Sequence, residues 1–164
     1  MKVCIIGTTS WGTTLAVMLA RRDIDVALWA RTGDEAERLG RDRENAARLP
    51  GIVFPDRLLP TADAGDALNG ASLVTLAVPS QEMRRNVGRV KGHVAPGVPV
   101  LSAAKGFERE STKRMTQVVA EELGAERSAQ VGVLSGPNLS REIARGLPAA
   151  TVVAAQDGLS LIHI

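Results

Sequence analysis

Aromatic residues are scarce. Two tryptophans, two phenylalanines and no tyrosine make up 2% of the 164 residues. So few flat rings leave little on which nucleobases could stack, and the basic side chains are scattered, with a net charge of only +2. Both facts exclude a nucleic-acid surface as the expected function. Cys4 is the single cysteine, so no disulfide closes within the chain, which fits a reducing cytoplasm. No run approaches the roughly 18 apolar residues that a membrane span needs. The start passes directly into a strand-like run without the basic and apolar regions of a signal peptide. His93 precedes a loop and His163 adjoins the terminus, so no metal-ligand cluster is expected. What is present is 45% hydrophobic and 23% charged residues, the composition of a soluble, cytoplasmic domain able to bury one core.

Short runs rich in Val, Ile and Leu recur at 2–6, 25–30, 72–78, 98–102, 130–134 and 150–155. Each is a candidate strand buried on both faces. Between them lie helical spacings: Leu15, Met18 and Leu19; then Met83, Val87 and Val90; then Met115, Val118, Val119 and Leu123. Ser111 and Thr112 are placed to cap the third of these helices and Gly124 to end it. Alternating strand and helix predicts an α/β fold, doubly wound, with a mainly parallel Rossmann-type sheet. Residues 49–60, "LPGIVFPDRLLP" with three prolines, read as an irregular connection into a short edge strand. The charged stretch 31–48 reads as a solvated helix and loop whose charges pair at helical spacings, without functional weight. Ligands on such a sheet bind beyond the carboxyl ends of the strands, which puts the turns at Gly7, Arg31, Pro79, Lys105 and Ser135 on one rim.

The turn "GTTSWGTTLA" at 7–16 joins the first strand to the first helix. Gly7 and Gly12 fill the first and third glycine places of a dinucleotide-binding turn, but Thr9 fills the second. A plain turn and a cofactor turn both remain open at this point. Thr9 fits if its backbone keeps negative φ, although its side chain then crowds the path of a phosphate. The second strand ends "LWAR", with Arg31 where NAD-selective proteins carry an acid, and a guanidinium there favours a 2′-phosphate. Asp25 stands at the wrong end of that strand to replace the acid. Cys4, inside an apolar strand, reads as inert core.

Three further stretches end strands: "AVPSQ" (77–81), "SAAKGFE" (102–108) and "LSGPNLSREIARGLPAA" (134–150). With "GTTSWGTTLA" and "LWAR", they resemble the N-terminal domain of the bacterial-type NAD(P)-dependent glycerol-3-phosphate dehydrogenases, in that family's order and spacing. The family pattern has glycine at Thr9 and commonly serine at Asn138. The resemblance implies that Gly7, Ser10, Trp11, Gly12, Arg31 and Ser140 contact NADPH or NADH, with NADPH favoured by Arg31. It implies that Lys105 touches both cofactor and substrate, and that Gly136 and Asn138 line the glycerol phosphate site. The implied reaction is reversible hydride transfer between the nicotinamide and C2 of dihydroxyacetone phosphate, giving sn-glycerol 3-phosphate for phospholipid synthesis. Lys105, beside a glycine, would present a cation to the developing alkoxide.

In that family a helical second domain follows and brings the lysine that moves the proton. The last lysine here is Lys113, so none matches it, and this chain carries no catalytic residue of its own by that reading. A truncated piece, with the helical domain missing and inactive alone, is therefore expected. The complete protein leaves room for a homodimer. The binding domain is expected over 1–157, and the closing residues 158–164, "GLSLIHI", read as non-native. Two alternatives stand beside this: another two-domain reductase of ketopantoate, 6-phosphogluconate or hydroxyacid type, and a non-catalytic nucleotide-sensing module.

Overall fold

The computed structural model describes residues 1–156. The expected boundary at Asp157 and the tail at 158–164 lie outside the described residues. Seven strands form one sheet: β1 (Lys2–Ile6), β2 (Asp25–Trp29), β3 (Leu58–Thr61), β4 (Leu73–Leu76), β5 (Val100–Ser102), β6 (Val131–Ser135) and β7 (Val152–Ala155). Their order across the sheet is β3-β2-β1-β4-β5-β6-β7, parallel throughout except that β7 runs antiparallel to β6. The helices are α1 (Ser10–Ala20), α2 (Gly33–Asp42), α3 (Ala64–Leu68), α4 (Met83–Val90), α5 (Met115–Leu123) and α6 (Ser140–Ala144). The doubly wound Rossmann-type architecture expected from the alternation is therefore present. Among the described residues no helix is long and apolar enough to cross a membrane.

Strand alternation builds two cores from one sheet. Val3 and Ile5 of β1 join the layer of α1 and α2, while Cys4 and Ile6 join the layer of α3, α4 and α5. Burial pushes the Cys4 thiol up to about 12, which keeps it protonated and unreactive, as the inert-core reading expected. Ser102 ends β5 fully buried, and its hydroxyl finds no hydrogen-bond partner among the described residues.

Several local expectations change. On α1 the face against the sheet carries Thr13, Ala16, Val17 and Ala20, while Met18 is 39% exposed. The helix lies too close to the sheet for the larger residues Leu15, Met18 and Leu19 to be its inner stripe. Arg114, not Ser111 or Thr112, is the first residue of the α5 boundary, where the Gln117 side chain accepts from the Arg114 N–H at 3.0 Å. Ser111 instead donates to Glu108, and Thr112 sits at φ +56° in the turn before the helix. Gly124 does end α5, at φ +109°. Within 31–48 the one ion pair is between neighbours Arg41 and Asp42, and Arg43 reaches out to Asp56. The charges of this stretch therefore do not pair at helical spacings.

Candidate active-site rim

The sheet reverses its winding between β1 and β4, and the turns after these strands face each other across that switch point. Gly7 takes φ +110°, and a Cβ there would lie 2.8 Å from Val78 Cγ1 and 2.9 Å from the Ala77 carbonyl oxygen. A Cβ on Gly12 would lie 2.1 Å from the Gly7 carbonyl oxygen. Both positions require glycine for space, and Gly7 for conformation as well. Thr9 holds φ −63° and caps α1: its hydroxyl accepts from the Gly12 N–H at 3.1 Å and donates to the Ala77 carbonyl at 2.7 Å. The side chain is thereby tied both to the start of α1 and to the chain just after β4. Thr9 replaces a glycine by acting as a cap and a tie. The N–H groups of Ser10 and Trp11 have no partner among the described residues. Unpaired amides at the positive end of an eleven-residue helix suit an anionic group.

Behind this turn, buried Asn45 donates to the Thr8 carbonyl and to the Thr13 hydroxyl, each at 2.9 Å. The Ser10 hydroxyl donates to the Arg48 carbonyl at 2.8 Å. The connection after α2 is therefore sewn to the glycine turn. Arg31, exposed at the end of β2, borders a cleft of about 200 Å³ together with Gly7, Thr8, Glu35 and Arg48. Its backbone is held from α4, where Arg89 stacks 4.5 Å from the Trp29 ring centre and donates to the Arg31 carbonyl at 3.1 Å.

On the other side of the switch point a cleft of about 280 Å³ brings together Thr9, Trp11, Ala104, Lys105 and Asn138. Lys105 donates to the Gly136 carbonyl at 2.8 Å, and Asn138 donates to the Thr151 hydroxyl at 3.1 Å. The Lys105 loop is anchored at two points. Gln81 donates to the Phe107 carbonyl at 2.9 Å and accepts from the Arg109 N–H at 3.1 Å. Glu108 takes both ends of the Arg84 guanidinium at 2.8 and 2.9 Å and accepts from Ser111 at 2.5 Å. These bonds hold the Glu108 carboxyl down at about 2, with Arg84 the chief cause and Ser111 next. Arg84 also reaches Glu121 and Glu122 of α5, and Lys113 pairs with Glu121.

Residues 2–159 match the family described as NAD-dependent glycerol-3-phosphate dehydrogenase N-terminus. The chain belongs to that family. It is 49% identical over 155 residues to a glycerol-3-phosphate dehydrogenase [NAD(P)+] of Dehalococcoides mccartyi, covering 94% of this chain and 43% of the relative. A relative of the same name from Mycobacterium leprae is 48% identical over 158 residues, covering 94% and 45%. The crystal structure of glycerol-3-phosphate dehydrogenase from Coxiella burnetii superposes with a TM-score of 0.87 at 32% identity, covering 96% of this chain and 47% of that one. The chain thus spans under half the length of these relatives.

Within this dehydrogenase N-terminal domain the expected residues fall into groups. Trp11, Lys105 and Asn138 line one cleft, with Gly136 joined through Lys105, while Gly7 and Arg31 line the other. Gly12 lies beneath the turn and is buried. Ser10 and Ser140 line neither cleft: the Ser10 hydroxyl is engaged by Arg48, and the Ser140 carbonyl accepts from Thr14 at 3.2 Å. Trp11 is half-buried: it packs against the core layer of α1 and α2 and also borders the Lys105 cleft. Sequence reading passed over Thr8, Glu35, Asn45 and Arg48. The stretch 31–48, given no functional weight, supplies three of the four. One signal was present: Thr32-Gly33-Asp34-Glu35 has the pattern of a helix capping box, which marks Glu35 as a residue that folds back toward a turn.

Proposed function

We propose that this chain is the dinucleotide-binding part of a glycerol-3-phosphate dehydrogenase that reduces dihydroxyacetone phosphate reversibly in the cytoplasm, serving phospholipid synthesis. The single observation that supports it most is the shared cleft of Thr9, Trp11, Lys105 and Asn138, which sets a cation beside the mouth of the glycine turn. The residues fit a dinucleotide: the glycine pair leaves room only for backbone, and the Thr9 hydroxyl is engaged by Gly12 and Ala77, which leaves the Ser10 and Trp11 amides without a partner among the described residues. The nicotinamide, when bound, supplies the hydride.

The roles of the chain's own groups follow from their placement. The Ser10 and Trp11 amides receive the pyrophosphate through backbone hydrogen bonds, which suits a serine whose hydroxyl is already engaged. Arg31 faces the adenosine ribose. Lys105 leaves its Gly136 partner to meet the substrate oxygen, where a fixed cation stabilises the charge of the alkoxide. Asn138 borders the substrate in that cleft and Gly136 adjoins it through its bond with Lys105, while the family resemblance adds Ser140, which lies outside both clefts, as a cofactor contact. Proton transfer is assigned to a residue of the relatives' second half, and the same reading gives the complete protein as a homodimer.

Titrating the chain with NADH and NADPH, read by energy transfer from Trp11 and Trp29, is expected to saturate below about 1 mM, the upper range of ordinary enzyme affinities. Lys105→Met, which removes a cation from the cleft at the mouth of the glycine turn, is expected to weaken that binding several-fold without abolishing it. Absence of any dinucleotide binding would overturn the proposal.

A further inference from the structure

Arg31 stands where an NAD-selective turn would carry an acid, yet a carboxylate reaches the same neighbourhood from the first turn of α2. Glu35 accepts from the Thr8 hydroxyl at 2.6 Å through Oε1 and from the Arg31 N–H at 3.2 Å through Oε2. Its own N–H donates to the Thr32 hydroxyl at 3.3 Å, which fixes the base of the side chain. A glutamate three residues after a threonine cap commonly folds back onto that cap. Here it bridges the turn after β1 to the turn after β2, within the cleft that Arg31 borders.

We propose that Glu35 is a specificity-determining residue: it opposes a 2′-phosphate and so admits NADH to a cleft in which Arg31 alone would select NADPH. The inference rests on the reading of that cleft as the adenosine ribose site. An ionised carboxylate only accepts hydrogen bonds, so it suits a ribose hydroxyl and repels a phosphate. Arg31 has the opposite preference. The cleft is bordered by two arginines, Arg31 and Arg48, and by two glutamates, Glu35 and Glu82, so the ribose meets mixed charges and not a purely cationic pocket, with Glu35 the carboxylate fixed to the turns after β1 and β2. Thr8 is the positioning residue, because its hydroxyl holds the carboxylate at the mouth.

The test compares dissociation constants of the 164-residue chain for NADH and NADPH, by tryptophan energy transfer, in wild type, Glu35→Gln and Thr8→Val. Removing one negative charge near contact with a phosphate is expected to tighten NADPH by about tenfold. NADH should weaken slightly or hold, since the amide oxygen still accepts. Thr8→Val, which releases the carboxylate without removing it, should move the ratio of the two constants in the same direction by a smaller factor. It also serves as the independent probe if Glu35→Gln melts. A ratio unchanged in the variants while wild type binds both cofactors overturns this inference and leaves the proposed function standing. Failure of wild type to bind either cofactor overturns both.

Discussion

On the β1–β2 side of the rim, half-buried Gly7 and Thr9 and buried Gly12 and Asn45 are fixed by backbone contacts and hydrogen bonds. On the β5–β6 side, Lys105 stands on an exposed loop that is moored by charged side chains from α4 and α5. The first side is built to hold one shape, since any added atom collides with main chain. The second is held by groups whose strength depends on their ionisation. Rigidity on one side fits the proposed recognition of an invariant dinucleotide, and an adjustable loop fits the proposed role of Lys105, which is to exchange a carbonyl partner for a substrate.

The sharpest way to break this contrast is a methyl group on each side. Gly12→Ala puts a carbon 2.1 Å from the Gly7 oxygen. A loss of about 3 kcal/mol or more in urea unfolding is expected, together with loss of dinucleotide binding. Gly106→Ala, at φ +104° with the nearest atom 3.5 Å away, should cost roughly 1–2 kcal/mol from backbone strain alone. Equal losses would erase the distinction. Next in size is Asn45→Ala, which leaves the Thr8 carbonyl and Thr13 hydroxyl short of a partner in a buried site. It is expected to lower stability by about 1–3 kcal/mol and to weaken NADH binding in the same titration.

Acid separates the two sides differently. Glu108 in the folded chain titrates at about 2, below its ordinary value of 4.5, so the unfolded state takes up its proton first. Its stabilising contribution is therefore complete above pH 4.5 and is lost as pH falls through about 2. The melting temperature of wild type should exceed that of Glu108→Gln by a constant margin at higher pH, and the margin should close across that window. A margin that persists at pH 2 would show that Arg84 holds the loop without Glu108 being charged. The smallest effect is expected for Ser102→Ala, beneath the Lys105 loop. Removing a buried hydroxyl without a partner should change stability by zero to about 1 kcal/mol in the stabilising direction.

What could be read in advance depended on distance along the chain. β1 at Lys2–Ile6 and the stop at Gly124 follow from local pattern, and both stand as expected. The edge strand after the proline-rich connection also stands, with Pro60 tolerated in β3 at the border of the sheet. The turn at 7–16 was legible as a turn, and Gly12 as a packing glycine. The work of Thr9 was not, since its acceptor Ala77 lies 68 residues away, just after the strand across the switch point. Asn45 and Glu35 escaped for the same reason: their partners are 37, 32 and 27 positions distant, and in sequence they look like any polar residue of a solvated helix and loop. The spacing of Leu15, Met18 and Leu19 located α1, but not its fully buried face, where small residues such as Thr13, Ala16 and Ala20 lie.

The reversed direction of the last strand has an architectural result. A parallel strand brings its finish to the rim, but β7 brings its beginning, so Thr151 arrives there without a further crossover. From that corner it takes the Asn138 amide with its hydroxyl and donates onward to the Ser135 carbonyl at 3.2 Å, as a doorpost does for a hinge. Turning the strand the other way would move that support to the opposite edge of the sheet.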